Sequence, residues 1–198
     1  MTAPLAPESA AASRLCAACG LCCNGVMFHT VRLLPEDSAQ SLVALGLKLK
    51  RKKGHHHILQ PCPAFQCEQC SIYESRPARC RLFECRQLER VATGEITEAQ
   101  ALEKIHDARR RVNEMNELLQ RAGSTNTKRP LSKRCEKALA EPLHPSSAQE
   151  AVELRRRLTV TMAELNALLN EDFRLVSSRA FATGEEEIAE SAGQACPS

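Results

Sequence analysis

Eleven cysteines stand in a chain of 198 residues, and nine of them fall between positions 16 and 85. The first group reads Cys16-Ala-Ala-Cys19-Gly-Leu-Cys22-Cys23. The second is Cys62, Cys67, Cys70, Cys80 and Cys85, in which Cys67 and Cys70 repeat the C-x2-C step. Two thiolates at that spacing can bite one metal ion, because the turn between them folds the chain back on itself. A further step of the same length adds a third thiolate, and Gly20 supplies the backbone freedom to wrap. On a straight helix Cys16 and Cys22 would stand about 120° apart. A wrapping loop across 16–23 is therefore expected in place of one helical face. Cys22 and Cys23 are too close in the chain for an easy mutual disulfide. In extended backbone they point opposite ways, so either they serve two sites or one is a spare.

Spacing narrows the metal without fixing it. Zinc favours closed tetrathiolate sites, usually assembled from two C-x2-C pairs. Iron–sulfur clusters are also held by four cysteines, and ferredoxin-type runs begin C-x2-C-x2-C. The triple Cys16, Cys19 and Cys22 follows the second pattern, and no histidine stands at a zinc-knuckle spacing, so an iron–sulfur cluster is favoured over zinc. Nine thiols make two four-ligand sites with one left over, or one site with reserve thiols. The competing account is buried apolar thiols or disulfides. Against it stand the two C-x2-C bites and an N-terminus that lacks a basic region and is interrupted by Pro4, Pro7 and Glu8, unlike a secretory signal. The expectation is a cytoplasmic chain, where thiols stay reduced. No run approaches the ~18 apolar residues of a membrane span, so no membrane partner is expected.

The elements that must position these sulfurs follow from local signals. Asn24-Gly25 marks a turn, and Val26–Leu33 is β-branched enough for a strand. Pro35, Glu36 and Asp37 open a helix that Gly46 stops. Leu47–Lys50 and His56–Gln60 flank Lys53-Gly54 as a short hairpin. Ser75-Arg76-Pro77 opens a helix running to Val91. Cys80 then lies in its first turns, where the helix dipole and Arg76, Arg79 and Arg81 favour a thiolate. Cys85, five residues on, points elsewhere unless that helix ends early. Thr97 and Gln100 form a capping box behind Ile96. Leu102, Ile105, Val112, Met115, Leu118 and Leu119 follow as an apolar stripe. Ser147 and Glu150 open a second long helix carrying Val152, Leu154, Leu158, Met162, Leu165, Leu168 and Leu169.

The expected fold class is α+β. A disordered tail over 1–15 leads into a metal-organised, cysteine-rich module of short strands and helices over 16–92. An antiparallel α-helical hairpin over 95–175, with a basic linker at 123–145, follows, and a disordered tail covers 184–198. Five Phe, one Tyr and no Trp leave little aromatic core, so metal is expected to organise the module.

Beyond the cysteine spacing, Cys62-Pro63 and the run Cys70-Ser-Ile-Tyr73-Glu-Ser-Arg76-Pro77-Ala-Arg-Cys80-Arg81 resemble the YkgJ-type cysteine-cluster family, whose CxxCxxCC domain is described as zinc- or iron-chelating. The likeness covers residues 16–90, and C-x-I-Y-x-x-R-P-x-x-C-R is its most specific element. It implies that Cys16, Cys19, Cys22, Cys23, Cys62, Cys67, Cys70, Cys80 and Cys85 are metal ligands, with Tyr73, Arg76, Pro77 and Arg81 in support. The domain is also similar to part of a flagellin lysine N-methylase that uses S-adenosylmethionine. That likeness supplies an alternative, a methylase-like enzyme acting on protein lysine. The helical hairpin lies outside the family core.

No phosphate loop, nucleophile elbow, H-E-x-x-H or glycine loop for S-adenosylmethionine is visible. The first expectation is therefore a metal-binding protein with a redox, sensing or metal-handling role, not an enzyme. Tyr73 either hydrogen-bonds a cluster sulfur or plugs a small core, the second being favoured. Arg76 and Arg81 would offset the negative charge of a tetrathiolate site as readily as stay solvated. His55-His56-His57 after Lys50-Arg51-Lys52-Lys53 reads as an exposed hairpin tip. With a net charge of +3 and no interleaved aromatics, a nucleic-acid partner is not expected. The basic residues of 121–137 fit a flexible linker, and Cys135 and Cys196 fit free thiols. His29, His106 and His144 suggest no role. The C-terminal helices are the candidate surface for a protein partner or self-association.

Overall fold

The computed structural model describes residues 10–141 and 147–175. Helix α1 (Ala10–Cys19) starts on three alanines, the best helix formers, and ends where Gly20 turns left-handed at φ +67°. Cys16 and Cys19 thus share one face of its last turn. Only the segment from Gly20 to Cys23 forms the wrapping loop expected of the whole run. Residues 10–15, assigned to a tail from sequence, are helical because Leu15 is buried at 1% exposure against the later helices. The expected tail at 184–198, His144 and Cys196 lie outside the described residues.

Strands β1 (Thr30–Arg32), β2 (Leu49–Lys52) and β3 (His55–Leu59) form an antiparallel sheet in the order β1-β3-β2. Ile58 sits opposite both Val31 and Leu49. The strand expected over Val26–Leu33 shrinks to three residues, because Met27 is buried in the helical core with Val26 and Phe28 packed against it. Lys53 (φ +47°) and Gly54 (φ +80°) make the expected two-residue turn. Short helix α2 (Ala39–Ala44) is capped by Ser38, which accepts the Ser41 N–H. A second hairpin joins β4 (Phe65–Gln66) and β5 (Gln69–Cys70) through Cys67 and Glu68, both at positive φ. The core beneath this side is small: Leu33, Leu42, Leu47, Ile58 and Ala64.

The single helix expected from Pro77 to Val91 is two, α3 (Ala78–Leu82) and α4 (Arg86–Ala92). Phe83 turns extended and packs edge-to-face on Phe28 at 5.2 Å. The Arg86 N–H donates to the Phe173 carbonyl at 3.0 Å. Contacts far away in sequence break this helix, which is why no local signal announced it.

Helices α5 (Glu98–Arg121) and α7 (Ala148–Asp172) form the hairpin. Its antiparallel sense follows from the pairs Lys104–Asp172, Arg111–Glu164, Arg157–Glu114 and Arg121–Glu150, which run in opposite order. Both halves of the Thr97–Gln100 capping box are made, and Ser147 accepts the Glu150 N–H. The linker expected between them contains α6 (Leu131–Ala140), ordered because Leu131, Cys135 and Ala138 enter the core. Val152, placed in the apolar stripe from sequence, is 69% exposed. The main core joins Leu15, Leu21, Met27 and Leu88 to Ile105, Met115, Leu119, Leu158 and Leu165, so packing crosses residues 92–95 without a seam. Among the described residues no helix is long and apolar enough to cross a membrane.

Candidate metal centre

Eight of the nine predicted sulfurs line one cavity of about 2200 Å³. Cys16 and Cys19 come from the last turn of α1, and Cys22 and Cys23 from the Gly20 loop. Cys62 follows β3, Cys70 lies in β5, Cys80 in α3, and Cys85 is the N-cap of α4. The two stretches meet at backbone level, where the Cys62 N–H donates to the Cys23 carbonyl at 2.8 Å. Cys67 is the exception: it stands exposed at the tip of the β4–β5 turn and does not line the cavity. No disulfide joins any of the ten described cysteines. Among the described residues no three His, Cys, Asp or Glu side chains are already gathered closely enough to hold an ion.

Residues 15–106 match the CxxCxxCC family model, described as a putative zinc- or iron-chelating domain. Residues 15–106 form a CxxCxxCC domain. No curated protein and no solved structure matches the chain.

Burial raises the thiol pKa of Cys19, Cys22, Cys23, Cys62, Cys80 and Cys85, the expected effect of removing a charged form from water. Cys19 is pushed up to about 12, first by burial; the Leu21 N–H and Arg109 pull the other way, while Cys85 and Cys16 add to the rise. Burial raises Cys22 too, helped by Cys19, Cys85, Cys23 and Cys16. Cys23 is raised by burial and then by Cys80, Cys62, Cys70 and Cys16. Burial lifts Cys62 against the Ala64 and Phe65 N–H groups, and Cys85 against those of Leu88 and Gln87. The thiolate expected at Cys80 is overturned for the same reason. Burial carries it up to about 12, Cys62 and Cys70 reinforce this, and Arg76 only partly opposes it. Arg81 is exposed, and α3 is a helix of five residues, too short to build a strong dipole.

Several side chains that hold the CxxCxxCC domain in place carried no sequence signal. Arg109, on α5, donates to the Ala18 carbonyl at 2.7 Å and pairs with Glu68 at the β4–β5 turn. It therefore ties the end of α1 to the hairpin that bears Cys70. Asp37 accepts the Ala78 N–H at 2.8 Å and the Leu34 N–H at 2.9 Å, pinning the start of α3. Buried Gln87 donates to the Asp172 carbonyl at 2.6 Å, and Asp172 pairs with Lys104 at 3.1 Å and Arg90 at 3.5 Å. The end of α7 thereby fixes α4 and, through it, Cys85. A charge alternation in the sequence could have hinted at Arg109 or Asp172, but nothing there names their partners.

Of the support residues implied by resemblance, Arg76 is 9% exposed and lies over the Tyr73 ring at 3.9 Å. Tyr73 is thus a platform for a guanidinium, and Pro77 is buried beside it. His55 and His56 are exposed on β3. His29 does take a role: its Nε2 and the Ser132 hydroxyl of α6 are 2.7 Å apart.

Proposed function

We propose that the chain is a metal-binding protein that takes up zinc or iron through the thiols of its CxxCxxCC domain, in a redox, sensing or metal-handling role. The observation carrying this reading is the convergence of eight cysteines, from five separate segments, on one cavity. Thiolates are soft donors suited to both zinc and iron–sulfur clusters. The N–H groups near Cys19, Cys62 and Cys85 would stabilise the ligated, deprotonated sulfur. An incoming cation supplies the charge that burial denies, so ligation releases one proton per thiol.

The C-x2-C-x2-C spacing of Cys16, Cys19 and Cys22 and the lack of a histidine at a zinc-knuckle spacing favour an iron–sulfur cluster, while a four-thiolate donor set also serves zinc. Anaerobic purification with metal and acid-labile sulfide analysis decides between them. Thiol-bound zinc without sulfide, or iron with sulfide and visible absorption, supports the reading. A protein that emerges metal-free and takes up neither metal refutes it. Calorimetry with S-adenosylmethionine tests the methylase alternative, and no binding is expected.

A further inference from the structure

One face of the three-stranded sheet carries two basic cross-strand rows. Ile58 is buried and sits opposite Val31 and Leu49, so these residues mark the inner face, and successive side chains alternate between faces. Arg32, His57 and Lys50 are then neighbours on the outer face, with His55 and Lys52 as the next pair. Arg32 Nη2 lies 3.2 Å from His55 Nε2, as diagonal neighbours on one face should. Lys50, Lys52 and His55 are exposed, and neither the three strands nor the Lys53-Gly54 turn contains an Asp or Glu.

This face continues into the wall of the sulfur-lined cavity. Arg32, Lys50, Lys52, Arg76, Arg79 and Arg174 all line that cavity, whose acidic lining residues are Glu84 and Glu136. Arg174 and Leu175 end the described chain and line the same cavity. Beyond them the sequence changes sign: residues 176–198 hold Glu185, Glu186, Glu187 and Glu190 against one basic residue, Arg179.

We infer that the basic outer face of the sheet is a docking surface for the chain's own acidic run Glu185–Glu190, which binds there beside the sulfur-lined cavity. Charge complementarity names the occupant, and chain length allows it. Glu185 is ten residues beyond Leu175, a reach of up to about 35 Å in extended backbone. A globular chain of about 160 residues has a radius of gyration of about 15 Å, so the run can reach the sheet from the cavity wall. Covalent attachment makes the contact intramolecular, with an effective concentration on the order of millimolar. Several exposed ion pairs, each weak alone, then act together. The three strands offer no Phe, Tyr or Trp on which a base could stack, which favours carboxylates over a nucleic acid as the occupant. The inference does not rest on metal occupancy, and metal analysis leaves it untouched.

Carbodiimide coupling, which joins a carboxylate directly to a lysine amine, tests it on the full chain at low salt with mass-spectrometric mapping. Amide links from Glu185, Glu186, Glu187 or Glu190 to Lys50 or Lys52 are expected several-fold above links to Lys133 and Lys137, which stand half-exposed on α6. In a mixture of isotope-labelled and unlabelled protein the links are expected within one chain. Raising salt from about 0.1 M to about 1 M shortens the screening length from about 10 Å to about 3 Å, and the yield is expected to fall several-fold. Replacing all four glutamates by glutamine is expected to shift the backbone amide NMR signals of Arg32, Lys50, Lys52 and His57. Links spread evenly over the lysines, a yield indifferent to salt, or unmoved amide signals would each overturn the inference. Links found only between labelled and unlabelled chains would overturn it too, by making a second copy the occupant.

Discussion

Replacing Gly20 by alanine probes how the first sulfur loop is built. Gly20 is buried with φ +67°, and a Cβ there would overlap the Phe65 ring, with Cε2 at 2.8 Å. A left-handed backbone costs an L-residue about 1–2 kcal/mol. Overpacking against the ring adds about 1–3 kcal/mol, so Gly20→Ala is expected to lose about 2–5 kcal/mol in all. Gly46 supplies the control. It shares a positive φ, +87°, but a Cβ there meets nothing within 4 Å, so Gly46→Ala is expected to lose only the backbone share, about 1–2 kcal/mol. The difference between the variants isolates the approach of Gly20 to Phe65. Because Phe65 begins the hairpin that carries Cys70, the clash should also weaken metal uptake in Gly20→Ala and not in Gly46→Ala. Urea denaturation of the reduced, metal-free proteins followed by circular dichroism measures the first effect, and zinc competition the second. Equal stabilities for the two variants would refute the reasoning.

Four further outcomes are expected. In the metal-free protein Cys19 and Cys80 titrate near 12 in place of the ordinary 9.0, so between those values the folded chain keeps protons the unfolded chain has lost. Stability should be full below about pH 9 and fall as pH rises toward about 12, and an unchanged urea midpoint between neutral pH and about pH 10 would contradict the burial of these thiols. Arg109→Gln should cost about 1–2 kcal/mol and speed amide exchange in the β4–β5 hairpin and the last turn of α1; unaltered exchange there would remove Arg109 from its tying role. Removing metal with a chelator should loosen residues 30–70, whose own core is five small or medium apolar side chains, while α5 and α7 keep their exchange protection; simultaneous loss of both would show that the helical core depends on the metal. Leu158→Ala, at a position of 0% exposure, should cost about 2–5 kcal/mol without changing the zinc equivalents bound in the cold, and a fall in those equivalents would couple the hairpin to the site more tightly than packing implies.

Local rules located most elements of this fold. The Thr97–Gln100 box, the Ser147 cap and the Lys53-Gly54 turn each involve residues within a few positions of one another, so their geometry is written in short stretches. The break between α3 and α4 is different. It depends on Phe28 and on the Phe173 carbonyl, and until those contacts form nothing forbids one continuous helix through Cys80 and Cys85. The same holds for α6, whose basic residues looked like a solvated linker until Leu131 and Cys135 found the core. Cys67 was the reverse case. Its C-x2-C spacing to Cys70 is indistinguishable from a chelating bite, and only the turn conformation leaves it exposed, off the cavity that the other eight line.

By itself the sequence determined the chemistry: which atoms can bind, that they are soft sulfur donors, and that the cysteine-rich stretch is short of an oily interior. Tertiary structure alone decided which sulfurs share a cavity, because that depends on where α1 ends, where α4 begins and how Cys62 lies against Cys23. Residue type travels with the chain, but convergence is set by contacts between segments far apart along it, and spacing carries no information about those.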